Sequence, residues 1–454
     1  MEKINRRRIS RYVGKIIGIV TVLLSLFPLC ANAISIINDE ETEQYLQAII
    51  EPIFKANSIP FNRNEIFIVN DPSLNAFVSD GNNMFIHTGT LLNIKNSNEL
   101  TGILAHESGH IKGGHILRQK IKLQNMQKLS LASLVLAGAA GVASGRGDVA
   151  MAIMLGGSSS ALNSLTAHQV EEERSADEAA VNTLNRLHQS PKGLLNFMRK
   201  IDKQNKMQGR EESPYFRTHP MTRERIAFLE NATKESPYDD KSILDGKLKR
   251  IQAKLRGFLL KPEAVRRIYE GDSVDAIYAL AIADLQEFKY AIAMQKVNKL
   301  LEKEPNNPHF MELKGQILLE QGKTEVARKE FSKALKILPT SALFKYNLAQ
   351  TILESQHNKD DLIYNEKILN SALRDFPSAY GWTLLARTCD ELNKPAERQY
   401  ASAKYSFEIG EIRTAKKQIE QAKKYQTDKR LALKIDDLAQ EIDVYLEENP
   451  ASLP

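Results

Sequence analysis

Cysteine is almost missing from this chain: Cys30 and Cys389 are its only two in 454 residues. Cys30 falls in an N-terminal segment with the character of an export signal. The mature chain then keeps one thiol and forms no intrachain disulfide, even in an oxidising compartment. Cys389 is read as buried packing. Long apolar runs are also missing. Ile16 to Leu29 and Leu131 to Ala143 both fall short of the roughly twenty residues that span a bilayer. A soluble exported protein is expected, with peripheral membrane contact left open. One-signed charge is lacking as well. The formal net charge is +6, but Lys3, Arg6, Arg7, Arg8, Arg11 and Lys15 against Glu2 put +5 of it in residues 1–33, leaving +1 for the rest. No nucleic-acid partner is therefore expected.

Residues 1–33 have the three parts of a secretory signal: the cluster Arg6-Arg7-Arg8-Ile9-Ser10-Arg11, the apolar stretch from Ile16, and the small-x-small site Ala31-Asn32-Ala33. Cleavage after Ala33 is expected. Residues 34–240 form a second compositional block, with β-type runs Ile66-Phe67-Ile68-Val69 and Met84-Phe85-Ile86-His87-Thr88 ahead of a helix expected to open at Asn98. Residues 131–165 are rich in Ala, Gly, Ser and Leu and are interrupted by Gly145-Arg146-Gly147-Asp148. Such a segment reads either as a lid over a cleft or as a helical hairpin in the core. A linker helix is expected over 241–264.

From 265 to 454 the texture is amphipathic helix with an internal period. Ala293, Val297, Leu300 and Pro305 recur 34 residues later as Ala327, Phe331, Ala334 and Pro339, and Gly315 recurs as Ala349. This is the tetratricopeptide pattern, in which helix pairs stack into a solenoid that serves as a protein-binding platform. The fold class expected is α+β: a mostly helical domain with a small sheet, then an all-α repeat solenoid.

The chemistry sits in His106-Glu107-Ser108-Gly109-His110. On a helix, residues i and i+4 share a face, so His106 and His110 can present two imidazoles to one ion while Glu107 reaches the same place. A catalytic zinc site needs a third protein ligand and an open position. Gly113 occupies the glycine position of HExxHxxGxxH, but Ile116 stands where that pattern has its third histidine. The better candidates are Glu173 and Asp177, again i and i+4, of which one can bind the ion and the other can orient a histidine.

With His219-Pro220 and Arg225-Ile226 further on, these elements resemble the zinc metalloproteases of the HtpX and CAAX-prenyl-endopeptidase type, whose fingerprint is HExxH, an ExxxAD-like element and a later His-Pro. The likeness covers roughly residues 65 to 230. Together with the signal ahead and the repeats behind, it extends to periplasmic BepA-type members of Gram-negative bacteria. The resemblance implies one Zn2+ per chain held by His106, His110 and Glu173, with Asp177 orienting a ligand histidine and Arg225 in support. It implies Glu107 as general base and gives His219 either oxyanion stabilisation or a fourth zinc position that holds the enzyme shut. Met84, Phe85, Ile86, His87 and Thr88 would form an edge strand that aligns extended substrate. The remaining histidines, His115 among them, are read as structural. The activity expected is a periplasmic zinc-dependent endopeptidase that degrades misassembled envelope proteins. Its repeats would bind clients or the outer-membrane assembly machinery. A second reading is an assembly factor in which proteolysis is secondary.

Overall fold

The computed structural model describes residues 35–122, 169–208 and 214–449. The signal at 1–33 and the segment 131–165 lie outside the described residues.

The first long helix, α1 (Glu40–Ala56), starts because Asp39 accepts a hydrogen bond from the Thr42 amide, at 2.8 Å, and three glutamates occupy its first turn. Tyr45, Leu46, Ile49, Ile50, Ile53 and Phe54 recur at helical spacing and are all buried. They face a four-stranded sheet of β1 (Ile36–Ile37), β2 (Ile66–Val69), β3 (Ala76–Val78) and β4 (Met84–His87), in the order β1-β2-β4-β3. Strand β4 runs parallel to β2 and antiparallel to β3. Period-two alternation sends Ile66, Ile68, Met84 and Ile86 into the core. Phe67, Phe85 and Phe77 stack on the other face, with neighbouring ring centroids 4.8 Å apart.

A short helix α2 (Thr88–Asn93) leads into the motif helix α3 (Ser97–Gly113). It opens one residue earlier than the sequence suggested, at Ser97. Asn96, not Asn98, caps it by accepting from the Glu99 amide, while the Glu99 carboxylate accepts in turn from the Lys95 amide. Every residue from Ser97 to His110 is buried, so this helix runs through the core instead of lying on it. It stops at Gly114, whose φ of 63° is left-handed. Helix α4 (169–186) carries the acidic motif. Next come α5 (Lys192–Gln208), α6 (Pro214–Thr218) and α7 (Arg223–Glu235).

Helix α8 (Asp245–Leu259) is more than a connector. Leu248, Ile251 and Leu255 belong to the same apolar core as α1, the sheet and α3, and Gln252 donates to the carbonyls of Leu91 and Ile94. On its other side it packs on α10 (Val274–Gln286). Lys254 pairs with Asp39 in the interior, and the Tyr278 hydroxyl donates to Glu41 at 3.0 Å, which ties the start of α1 to the first repeat helices.

Short α9 (Pro262–Ile268) precedes α10, and the helices that follow are α11 (Tyr290–Lys303), α12 (Pro308–Glu320), α13 (Thr324–Ile337), α14 (Ala342–Glu354), α15 (Lys359–Asp375), α16 (Ala379–Glu391), α17 (Pro395–Glu408), α18 (Ile412–Ala422) and α19 (Lys429–Glu448). The 34-residue period has a packing cause. Ala293, Val297 and Leu300 on α11, and Ala327, Phe331 and Ala334 on α13, are fully buried between neighbouring helices. Cys389 is buried too, which pushes its thiol pKa up to about 12, and it forms no disulfide.

Candidate metal centre

Four donors converge on one point. His106 and His110 stand one turn apart on α3, Glu173 comes from α4, and His219 follows α6. One ligand atom from each lies within 4.8 Å of all the others, and all four side chains are buried. The two Nε2 atoms of His106 and His110 are 3.1 Å apart, and each is 3.3 Å from a Glu173 oxygen. His219 Nδ1 is 3.0 Å from Glu173 and 3.4 Å from His106 Nε2.

Small residues permit this approach. A Cβ built on Gly109 would lie 2.8 Å from the Ala176 carbonyl oxygen and 3.0 Å from its Cα, so α3 and α4 touch backbone to backbone at the middle of both motifs. Gly109 is the fourth residue of HExxH and Ala176 precedes Asp177, so each motif's small residue is what admits the other. His219 is set by a separate device: its amide donates to the Tyr215 carbonyl at 2.8 Å, closing the single turn of α6. The Tyr215 ring stacks on the imidazole, with centroids 4.5 Å apart and planes 28° from parallel.

An outer layer fixes the inner one. Asp177 Oδ1 is 2.9 Å from His106 Nδ1. A carboxylate can only accept there, so Nδ1 of His106 carries a proton, and Nε2, which faces His110 and Glu173, is the nitrogen that would give up its proton to bind a cation. Arg225, on the first turn of α7, donates to both Asp177 oxygens at 2.6 and 2.9 Å, to the Pro220 carbonyl at 2.8 Å, and pairs with Glu173 at 2.8 Å. Its guanidinium is buried and satisfied by a bidentate fork, the arrangement in which arginine outperforms lysine.

The electrostatics follow from burial and these contacts. Burial opposes charge on His106, yet its hydrogen bonds to Asp177 and Glu173 overcome that and push its pKa up to about 10. Burial would also raise Glu173, but the surrounding histidines, His219 foremost, hold it well below the ordinary carboxylate range. Burial shifts His110 and His219 below the ordinary imidazole range. Glu107 is pushed up to about 7, chiefly by burial. Neither of its oxygens has a hydrogen-bond partner among the described residues, and His219 Nε2 stands 3.6 Å from one of them. Three carboxylates therefore face one permanent cation, Arg225. Buried imidazole nitrogens with one carboxylate oxygen form a donor set suited to zinc. Protons and a cation would compete for His106.

The donor cluster opens on a cleft of about 240 Å3 lined by Phe77, Val78, Glu107, His110, Gln119 and Arg217, among others. Here one expectation is corrected. Strand β4, Met84–His87, is interior, with β2 on one side and β3 on the other, and Thr88 already belongs to α2. Its backbone groups are spent on two neighbours, so Met84, Phe85, Ile86, His87 and Thr88 offer no free edge. The strand that borders the cleft at the end of the sheet is β3, Ala76–Val78.

His115, read as structural, stands beside the donors. It is 4% exposed, lines the cleft, and holds its Nδ1 2.9 Å from His110 Nδ1. Burial pushes its pKa down to about 4. The Gly113-Gly114 pair before it was the available sequence signal. Tyr215 was missed as well; its four-residue spacing to His219 was the corresponding clue.

Comparison with known proteins accords with this geometry. Residues 40–233 match peptidase family M48, a span that contains all of the converging side chains. The site thus lies within a stretch similar to M48 peptidases. Over a longer span it is similar to the beta-barrel assembly-enhancing proteases of Yersinia pestis, with 25% identity over 398 residues covering 83% of this chain and 79% of that one. The Escherichia coli protein of the same name is 26% identical over 386 residues, covering 81% and 76%. A protease HtpX homolog from Ligilactobacillus salivarius is 28% identical over 264 residues, covering 49% and 87%. Among solved structures, the MamA protein aligns with a TM-score of 0.30 and 20% identity, over 40% of this chain and 94% of that one. The family match and the protease relatives support a metallopeptidase, and helical hairpins follow it in the chain.

Proposed function

We propose that this chain is a zinc-dependent endopeptidase of the periplasm, exported by a signal cleaved after Ala33, that degrades misassembled outer-membrane proteins delivered by its repeats. The observation that carries the reading is the buried convergence of His106, His110, Glu173 and His219 beside an unpartnered Glu107. A zinc ion held there would act as Lewis acid towards a peptide carbonyl and lower the pKa of water. The chain's own residues supply the rest. Glu107, poised near neutrality, takes a proton from the attacking water and returns it to the departing amine. Asp177 and Arg225 keep His106 in the tautomer that faces the ion. The free side of β3 can receive an extended peptide by β-addition, which orders substrate through main-chain hydrogen bonds.

His219 acts as the restraint. It lies inside the donor cluster, where its ring fills the position a catalytic site leaves open for water or substrate. Turnover then requires its withdrawal. A similar DNA-free, protein-directed reading suits the repeats. Helices α15, α16, α17 and α19 enclose a groove of about 790 Å3 with Trp382, Tyr400 and Leu431 among its lining and the cations Arg374, Arg430 and Lys434 around them. With Lys367 and Lys394 the cations number five, against the carboxylates Glu366, Glu397 and Asp428, so the groove suits an extended polypeptide with aromatic and charged side chains. Trp382 is the sole tryptophan of the chain, so its emission reports occupancy of the groove directly.

The test of the metal reading is elemental analysis of the purified full chain. One zinc per chain, lost in His106→Ala, is expected; an unchanged zinc content in that variant would overturn it.

A further inference from the structure

We infer that His115 is a positioning residue for His110, the counterpart on the second motif histidine of what Asp177 does for the first. The inference rests on the metal reading of the site.

The observation is a contact between two Nδ1 atoms, 2.9 Å apart, in rings whose centroids are 4.9 Å apart and whose planes stand 79° from each other. Two imidazole nitrogens at that distance share one proton: one donates and the other accepts. His110 Nε2 points to Glu173 and to His106 Nε2. For that nitrogen to offer a lone pair to a cation, the His110 proton must sit on Nδ1, where His115 Nδ1 is the acceptor. His115 is then the neutral tautomer protonated on Nε2.

The chain is shaped to make this contact. His115 is five residues beyond His110, too far round an uninterrupted helix to lie against it. Helix α3 ends instead on Gly114 in the left-handed region, and the backbone folds His115 back over the last turn. Gly113 leaves the space, since a Cβ there would lie 2.3 Å from His115 Nε2. The Gly113-Gly114-His115 run thus has one geometric outcome: an imidazole held against His110.

The choice of histidine has a physical reason. His106 has an anionic acceptor in Asp177, and the pocket already holds Glu107, Glu173 and Asp177 against Arg225. A neutral acceptor orients His110 without a fourth carboxylate in a buried space, where unpaired charge is costly. The two motif histidines are therefore oriented by partners of different charge.

Zinc affinity of the full chain, read by competition with a fluorescent chelator, tests this. His115→Leu and His115→Ala remove the acceptor at two side-chain volumes, whereas His115→Asn keeps an oxygen near the Nδ1 position. Loss of the acceptor should weaken zinc binding 10- to 100-fold, and Asn should return it to within about threefold of the parent. Melting of the metal-free chains, followed by circular dichroism, should show no corresponding recovery in Asn over Ala. Parental affinity in Leu and Ala overturns the inference, as does equal weakening in Leu, Ala and Asn. Complete loss of zinc in all three would mean that His115 itself ligates, which also overturns it. If the parent chain and His106→Ala bind zinc equally, the metal reading fails, whatever His115 does.

Discussion

Replacing Gly109 is the sharpest probe of how the two motifs are brought together. The helix-propensity effect of Gly109→Ala is stabilising, by about 0.8–1.0 kcal/mol. Packing acts in the other direction. The new methyl would sit 2.8 Å from the Ala176 carbonyl oxygen, against an ordinary contact of 3.4 Å or more, so α3 and α4 must move apart by about 0.6 Å. Backbone is the obstacle, not the end of a flexible side chain, and overpacking of this kind costs about 1–3 kcal/mol. The net expectation is a loss of roughly 0–2 kcal/mol for Ala and more for Gly109→Val. The larger effect should fall on the site. A displacement near 0.5 Å is about the tolerance of a preorganised constellation, and it would carry Glu173 away from His106 and His110. Denaturant titration gives the stability term and chelator competition the zinc term. The expected pattern is a modest shift in midpoint with a disproportionate loss of zinc affinity, graded Ala to Val. A Gly109→Ala variant that is more stable and binds zinc as tightly as the parent would refute the close-approach account.

Three further outcomes follow from other parts of the structure. If His219 is the restraint proposed above, His219→Ala should raise casein turnover with zinc retained; a fall in turnover with zinc retained would assign the imidazole to the oxyanion instead. Arg225→Leu strands the buried carboxylates of Asp177 and Glu173 and should cost about 3–5 kcal/mol in denaturant titration, while a loss below about 1 kcal/mol would contradict a buried, bidentate role. Glu312 has its pKa raised from 4.5 to about 7, chiefly by burial. A raised carboxylate stabilises the folded state below the unfolded pKa, and that contribution is lost as pH rises through the folded one. Stability should thus fall by up to about 1.4 kcal/mol per pH unit between pH 4.5 and 7 on its account. Glu312→Gln should flatten that slope; an unchanged slope would contradict it.

Much of the site could be read from the sequence because its parts are local. The i, i+4 spacings of His106 with His110, and of Glu173 with Asp177, need only helical geometry. Each pair then lands on one face, and a family resemblance joins them. The 34-residue repeat was legible for the same reason, since Ala293, Val297 and Leu300 recur at buried positions of a repeated unit. What was not legible depends on long-range arrangement. Met84–His87 has the pattern of a strand, but whether a strand lies at an edge is decided by neighbours distant in sequence, here Ile66–Val69 and Ala76–Val78. His115 was set aside because the longer motif has its third histidine at 116, where Ile116 stands, and only the left-handed Gly114 brings His115 against His110. Residues 241–264 looked like a linker helix, yet Leu248, Ile251 and Leu255 complete the core that holds α3.

The central claim is that Glu107 moves the proton in a zinc-dependent cleavage. Its most direct test is casein cleavage by Glu107→Gln, with zinc content measured on the same sample. Gln keeps the shape and the buried position but cannot accept the proton. The account predicts a loss of about 10²- to 10⁴-fold with zinc fully retained. Cleavage at the parental rate by the zinc-loaded variant would contradict it.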